Sequence, residues 1–133
     1  RQVWIAHAVR DAGREQALTA RGAQLLHLPG PGDKVDLPAL MRALAAREVN
    51  ELHVEAGHKL NGSLVRAGCV DELLVYMAPR LLGDGARMAA LPSPAALADR
   101  SDLRFAGIAA VGDDLRLLAR TRESERLLLH WRE

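Results

Sequence analysis

Three times within its first 68 residues the chain passes from a short apolar run to a helical pattern, and this alternation limits the folds open to it more than any other feature. Val3-Trp4-Ile5-Ala6 is apolar and bounded by polar residues, as a buried strand requires. Residues 11–20 are rich in helix formers, and Gly22 supplies a stop. Residues 23–28 read as the next strand, followed by the Pro- and Gly-punctuated loop "PGPGDK". Asp36 then caps an amphipathic helix with Leu37, Leu40, Met41, Leu44 and Ala45 on one face. Leu52-His53-Val54 reads as a third short strand, and Leu60, Leu64 and Val65 line the helix that opens after Gly57 and ends at Gly68. Strands alternating with helices imply an α/β class with a parallel sheet and right-handed crossovers.

The pattern changes after Gly68. Residues 72–79 read as a strand, and a Gly-, Pro- and Ala-rich loop follows. Residues 103–111 and 114–120 read as two strands joined through Gly112-Asp113, a hairpin signal. The expected sheet is therefore mostly parallel with antiparallel carboxyl-terminal strands. Residues 121–133 form a tail, charged and then apolar, suited to a last helix or a packing arm.

Bulk properties fit one soluble domain with a core: 133 residues, 49% hydrophobic and 26% charged. A net charge of +1, with arginines interspersed among acids, offers nothing for nucleic acid or a membrane surface to recognise. The single cysteine, Cys69, excludes an internal disulfide framework and favours a reducing, cytoplasmic compartment. No apolar run is long enough to span a bilayer. The first residues already read as a strand, as if the sequence began inside a larger domain.

Two motifs compete for the chemistry. His53-Val54-Glu55 has the H-x-E form of a zinc deaminase, but that site also needs P-C-x-x-C to complete its ligands. One cysteine cannot supply it, and His7, His27, His58 and His130 have no ligand spacing among themselves, so no metal is expected. Gly57, at the end of a strand and the start of a helix, is the second motif. A helix N-terminus offers unpaired N–H groups and a positive dipole end, which suits phosphate, and Gly62 and Ser63 lie one turn on. Any strand-to-helix turn also favours glycine, and the full G-x-G-x-x-G fingerprint is absent, so the pattern leaves both readings standing. Glu55, directly ahead of the turn, either caps the helix or faces a ligand, with capping the default.

Residues 51–83 resemble the reductase domain of the riboflavin-biosynthesis deaminase/reductase family. The matching residues are Val54-Glu55-Ala56-Gly57, Leu60, Arg66-Ala67-Gly68, Val70-Asp71-Glu72-Leu73 and Ala78-Pro79-Arg80-Leu81-Leu82-Gly83. Weaker similarity runs back to the first strand and on to about Arg120. The resemblance implies a dihydrofolate-reductase-like three-layer sandwich. It also implies NADPH-dependent reduction of 5-amino-6-(5-phosphoribosylamino)uracil to the ribitylamino product, with the cofactor supplying hydride. By the same resemblance Glu55 contacts substrate, and Gly57, His58, Lys59, Leu60, Asn61, Gly62 and Ser63 contact the cofactor. No catalytic residue is assigned. Relatives often carry Pro-Thr where this chain has His58-Lys59, so the hydroxyl is gone and Lys59 offers charge instead. Family members also have an Ala-x-Ser-Leu-Asp-Gly strand and a zinc deaminase domain ahead of the region matched here. Residues 1–120 therefore read as the carboxyl-terminal part of a reductase domain, and residues 121–133 as a tail. The competing reading is a non-catalytic nucleotide-binding or subunit-association module built on the same fold. The family forms homodimers. Edge strands and the apolar Leu127, Leu128, Leu129 and Trp131 put the expected contact at the carboxyl-terminal strands or tail, unless the tail folds back on its own domain.

Overall fold

A computed structural model describes residues 2–93 and 102–130. The chain divides into two compact units, Arg1–Glu55 and Ala56–Glu133. In the first, β1 (Trp4–His7) and β2 (Gln24–His27) pair in parallel, from Trp4 opposite Gln24 to His7 opposite His27. The Trp4 indole N–H donates to Gln24 Oε1 at 2.9 Å across that register. The crossover is α1 (Ala12–Thr19), whose start is set by Asp11, a carboxylate accepting from the Arg14 N–H at 3.0 Å. After a short 3₁₀ turn at Pro31–Asp33, Asp36 caps α2 (Leu37–Ala45) in the same way, accepting from the Ala39 N–H at 2.8 Å. The expected βαβ unit with Asp36 as cap is therefore present.

The third expected strand is not. Residues 52–54 form no strand, and Leu52 and Val54 are exposed. The alternation Leu-His-Val is compatible with extended backbone, but a strand exists only through a neighbour that takes its N–H and C=O groups. No described strand pairs with this segment. His53 thus lies in irregular, exposed chain and not in mid-strand.

The second unit opens with α3 (His58–Arg66). Leu64 is its buried apolar anchor, while Leu60 is exposed. The helix stops where the sequence indicates. Gly68 takes φ 65°, its N–H donates to the Val65 carbonyl, and the Cys69 N–H reaches back to the Leu64 carbonyl. That is a Schellman ending, and the left-handed residue it needs is best supplied by glycine.

Three antiparallel strands follow: β3 (Glu72–Met77), β4 (Leu103–Val111) and β5 (Asp114–Thr121), ordered β3-β5-β4. Gly112, at φ 60°, makes the expected β4–β5 turn, and a bulge between Phe105 and Gly107 shifts the register. Among the described strands only β1 and β2 pair in parallel. The class is α/β, with one parallel and one antiparallel sheet where a mostly parallel sheet was expected.

Directly opposed residues share a face of an antiparallel sheet. One face of β3-β5-β4 carries Leu73, Val75 and Met77, then Leu115, Leu117 and Ala119, then Phe105 and Ile108. The other mixes Glu72, Leu74 and Tyr76 with Arg116, Leu118 and Arg120. The tail begins as α4 (Arg122–His130). Buried Ser124 fixes its first turn by donating to the Asp71 carbonyl at 2.8 Å, and the Thr121 hydroxyl accepts from the Ser124 N–H. Trp131 lies outside the described residues, as do the side chains of Leu127, Leu128 and Leu129.

Candidate functional site

Gly57 is the N-cap of α3, at φ −74° and ψ 164°, and no side chain caps the helix. These angles suit any residue, so glycine is not required there by conformation. A Cβ on Gly57 would meet nothing within 4 Å, so the space beside it is open. The first turn of α3 therefore presents N–H groups that no side chain satisfies, beside open space. Glu55 does not serve as the cap. Its carboxylate is exposed and lies 3.5 Å from His53 Nε2.

The rest of α3 is committed to its own chain. The segment 87–92 runs against the helix as a strap. The Ala90 N–H donates to the His58 carbonyl at 2.8 Å. The Asn61 amide donates to the Met88 carbonyl at 3.0 Å and to the Ala56 carbonyl at 3.2 Å, joining strap, helix and the residue before the cap. Gly62 is buried because the Ala90 backbone occupies the place of its side chain: a Cβ there would lie 2.7 Å from the Ala90 carbonyl carbon and 2.8 Å from its nitrogen. The Ser63 hydroxyl donates to the Lys59 carbonyl and accepts from Arg66 Nη2. Arg66 Nη1 donates to the Ala90 carbonyl at 2.6 Å.

The seven residues from Gly57 to Ser63 thus divide in two. Gly57, His58 and Lys59 sit at the open end of the helix, and Lys59 is exposed. Asn61, Gly62 and Ser63 hold the strap or the helix. Between helix and strap lies a cleft of about 560 Å³ lined by His58, Arg66, Arg87, Ala90, Leu91 and Pro92. Sequence reasoning assigned no role to Arg66, Arg87 or the strap. Arg66 appeared only within the Arg66-Ala67-Gly68 match at the end of the helix, and nothing local to residues 87–92 indicates that they return to it. Among the described residues no three His, Cys, Asp or Glu side chains gather as metal ligands would.

The family model described as "RibD C-terminal domain" matches residues 2–117. The chain belongs to the RibD C-terminal domain family. The riboflavin biosynthesis protein RibD of Escherichia coli is 41% identical over 115 residues, which cover 86% of this chain and 30% of that protein. A protein of Buchnera aphidicola named 5-amino-6-(5-phosphoribosylamino)uracil reductase is 31% identical over 86 residues, covering 64% of this chain and 42% of that one. The structure of Acinetobacter baumannii RibD superposes with a TM-score of 0.71 at 24% identity, over 90% of this chain and 31% of that chain. A pyrimidine reductase-like protein of Corynebacterium diphtheriae gives 0.64 at 18% identity, over 90% and 49%. These superpositions show a shared fold. The chain spans less than a third of E. coli RibD and less than half of the Buchnera reductase. No helix among the described residues is long and apolar enough to cross a membrane.

Proposed function

We propose that the chain is the carboxyl-terminal part of a pyrimidine reductase of riboflavin biosynthesis, acting on 5-amino-6-(5-phosphoribosylamino)uracil with NADPH. The family match supports this reading, and the observation that carries the cofactor assignment is the uncapped, sterically open N-terminus of α3 at Gly57. Phosphate oxygens fit such a terminus, because unpaired N–H groups and the helix dipole both favour negative charge. NADPH supplies the hydride when bound. The chain's own part is to hold and orient it: Gly57 leaves the approach open, His58 and Lys59 flank it, and Asn61, Gly62 and Ser63 keep the helix and strap in place. Leu60 is an exposed apolar residue at the same end. Glu55 is assigned to the substrate, since its carboxylate is exposed and free of a capping role.

In this reading residues 1–120 complete a dihydrofolate-reductase-like three-layer sandwich and residues 121–133 are a tail. The protein is cytoplasmic, consistent with a single cysteine. It is a homodimer, joined through the apolar face on which Phe105 is 69% and Ile108 60% exposed.

Gly57→Val and Glu55→Gln in the full-length protein test the assignment. Gly57→Val lowers NADPH affinity about tenfold or more by filling the approach, and costs no more than about 1 kcal/mol of stability through a poorer cap. Glu55→Gln lowers kcat/KM for the pyrimidine and leaves NADPH affinity and Tm unchanged. Unaltered NADPH affinity in folded Gly57→Val removes the loop from the site. NADPH binding without turnover in the wild-type protein identifies a non-catalytic module.

A further inference from the structure

The cleft beside α3 has a composition that its structural role does not require. Two arginines and a histidine line it, together with Ala90, Leu91 and Pro92, and no carboxylate does. Arg66 is held in place by the Ala90 carbonyl at 2.6 Å and the Ser63 hydroxyl at 3.1 Å. Those bonds use one N–H each of Nη1 and Nη2, so the guanidinium has N–H groups to spare and its charge stays unneutralised by any described acid. Arg87 comes from the strap, is exposed, and makes no ion pair or hydrogen bond with a described residue. Other arginines of the same unit are paired with acids, Arg120 with Glu72, Arg122 with Asp102 and Arg104 with Glu125, while Arg80 and Arg116 pair with no described acid. The cleft is open to solvent on one side, with a volume of about 560 Å³. His58 lines it from the first turn of α3, so the cleft is continuous with the helix N-terminus.

We propose that Arg87 is a phosphate-binding residue, reaching from the strap into this cleft to grip a phosphate monoester dianion, with Arg66 as its fixed partner. Arginine suits the task because its planar fork donates two parallel N–H bonds to phosphate oxygens. The hydrogen bonds of Asn61 and the Ala90 backbone gain a second meaning. By fastening the strap to α3 they keep the backbone that carries Arg87 at the cleft that Arg66 lines, which reduces the ordering cost of binding. The proposal rests on the reductase reading for the source of the phosphate, which is the 2′-phosphate of NADPH or the 5-phosphate of the sugar substrate.

The test is Arg87→Ala, with Arg87→Lys beside it, in the full-length protein, folding being checked by circular dichroism. Affinities for NADPH and NADH are measured by titration, and KM for the phosphorylated substrate and its dephosphorylated form by kinetics. If the cofactor's phosphate is the ligand, Arg87→Ala weakens NADPH about tenfold or more, leaves NADH within twofold, and Arg87→Lys recovers only part of the loss. If the substrate's phosphate is the ligand, KM for the phosphorylated substrate rises by a similar factor and the dephosphorylated form is unaffected. NADPH affinity and phosphorylated-substrate KM both within twofold of wild type overturn the proposal. Should the wild-type protein bind neither nicotinamide cofactor nor substrate, the reductase reading fails. Inorganic phosphate titration then decides the site: weaker binding in Arg87→Ala upholds it, and equal binding overturns it.

Discussion

Two regions of the Ala56–Glu133 unit are held together by opposite means. At α3, beside one backbone bond from Ala90 to His58, side chains fasten backbone: Asn61 to Met88 and Ala56, Arg66 to Ala90, and the bare α-carbon of Gly62 against Ala90. In the β3-β5-β4 sheet, backbone fastens backbone, and the apolar side chains of Phe105, Ile108 and Met77 remain exposed. The first region depends on individual residue identities. The second depends on a ladder that most residues can join, and its side chains are available for contact with something else. Substitutions should therefore damage folding at α3 and association at the sheet.

The largest expected effect is at Gly62. A side chain there collides with the Ala90 backbone, so Gly62→Val should cost about 1–3 kcal/mol, typical of overpacking, with the strap displaced. Chemical denaturation measures it, and a variant as stable as wild type would mean that the strap yields freely. The sheet should respond differently. Ile108→Lys is expected to leave the monomer's stability within about 0.5 kcal/mol, as for other exposed positions, while abolishing the dimer in sedimentation equilibrium at micromolar concentration. A wild-type protein already monomeric there would show that this face is covered within the chain. Asn61→Ala removes two hydrogen bonds to carbonyls and should cost about 1 kcal/mol, with greater hydrogen exchange at the Ala90 amide. Equal exchange would leave the fastening to Arg66, the His58 carbonyl and the Gly62 contact. The smallest effect is at Arg120, paired with Glu72 across the sheet at 2.8 Å but partly exposed. Arg120→Ala should cost about 0.2–1 kcal/mol, less in high salt, and a double-mutant cycle with Glu72→Ala isolates it.

Local signals in the sequence carried much of the fold because their physics is local. Asp11 and Asp36 cap helices with their own side chains, Gly68 and Gly112 supply left-handed turns, and β4 is a largely apolar run whose ends agree with the structure. The family was legible too, since the ordered motif from Val54 to Gly83 is carried by residue identities. Strand pairing was not local. Leu52-His53-Val54 has the alternation of a strand, yet no described strand takes its hydrogen bonds. Nor could the chain text show that Gly62 is a packing glycine, that Asn61 and Ser63 turn inward, or that Arg87 shares a cleft with Arg66. Ser63 bonds within its own helix, but the others depend on residues 87–92 returning to α3 from more than 20 positions away, and a contact between segments so separated leaves no periodicity or spacing in either of them.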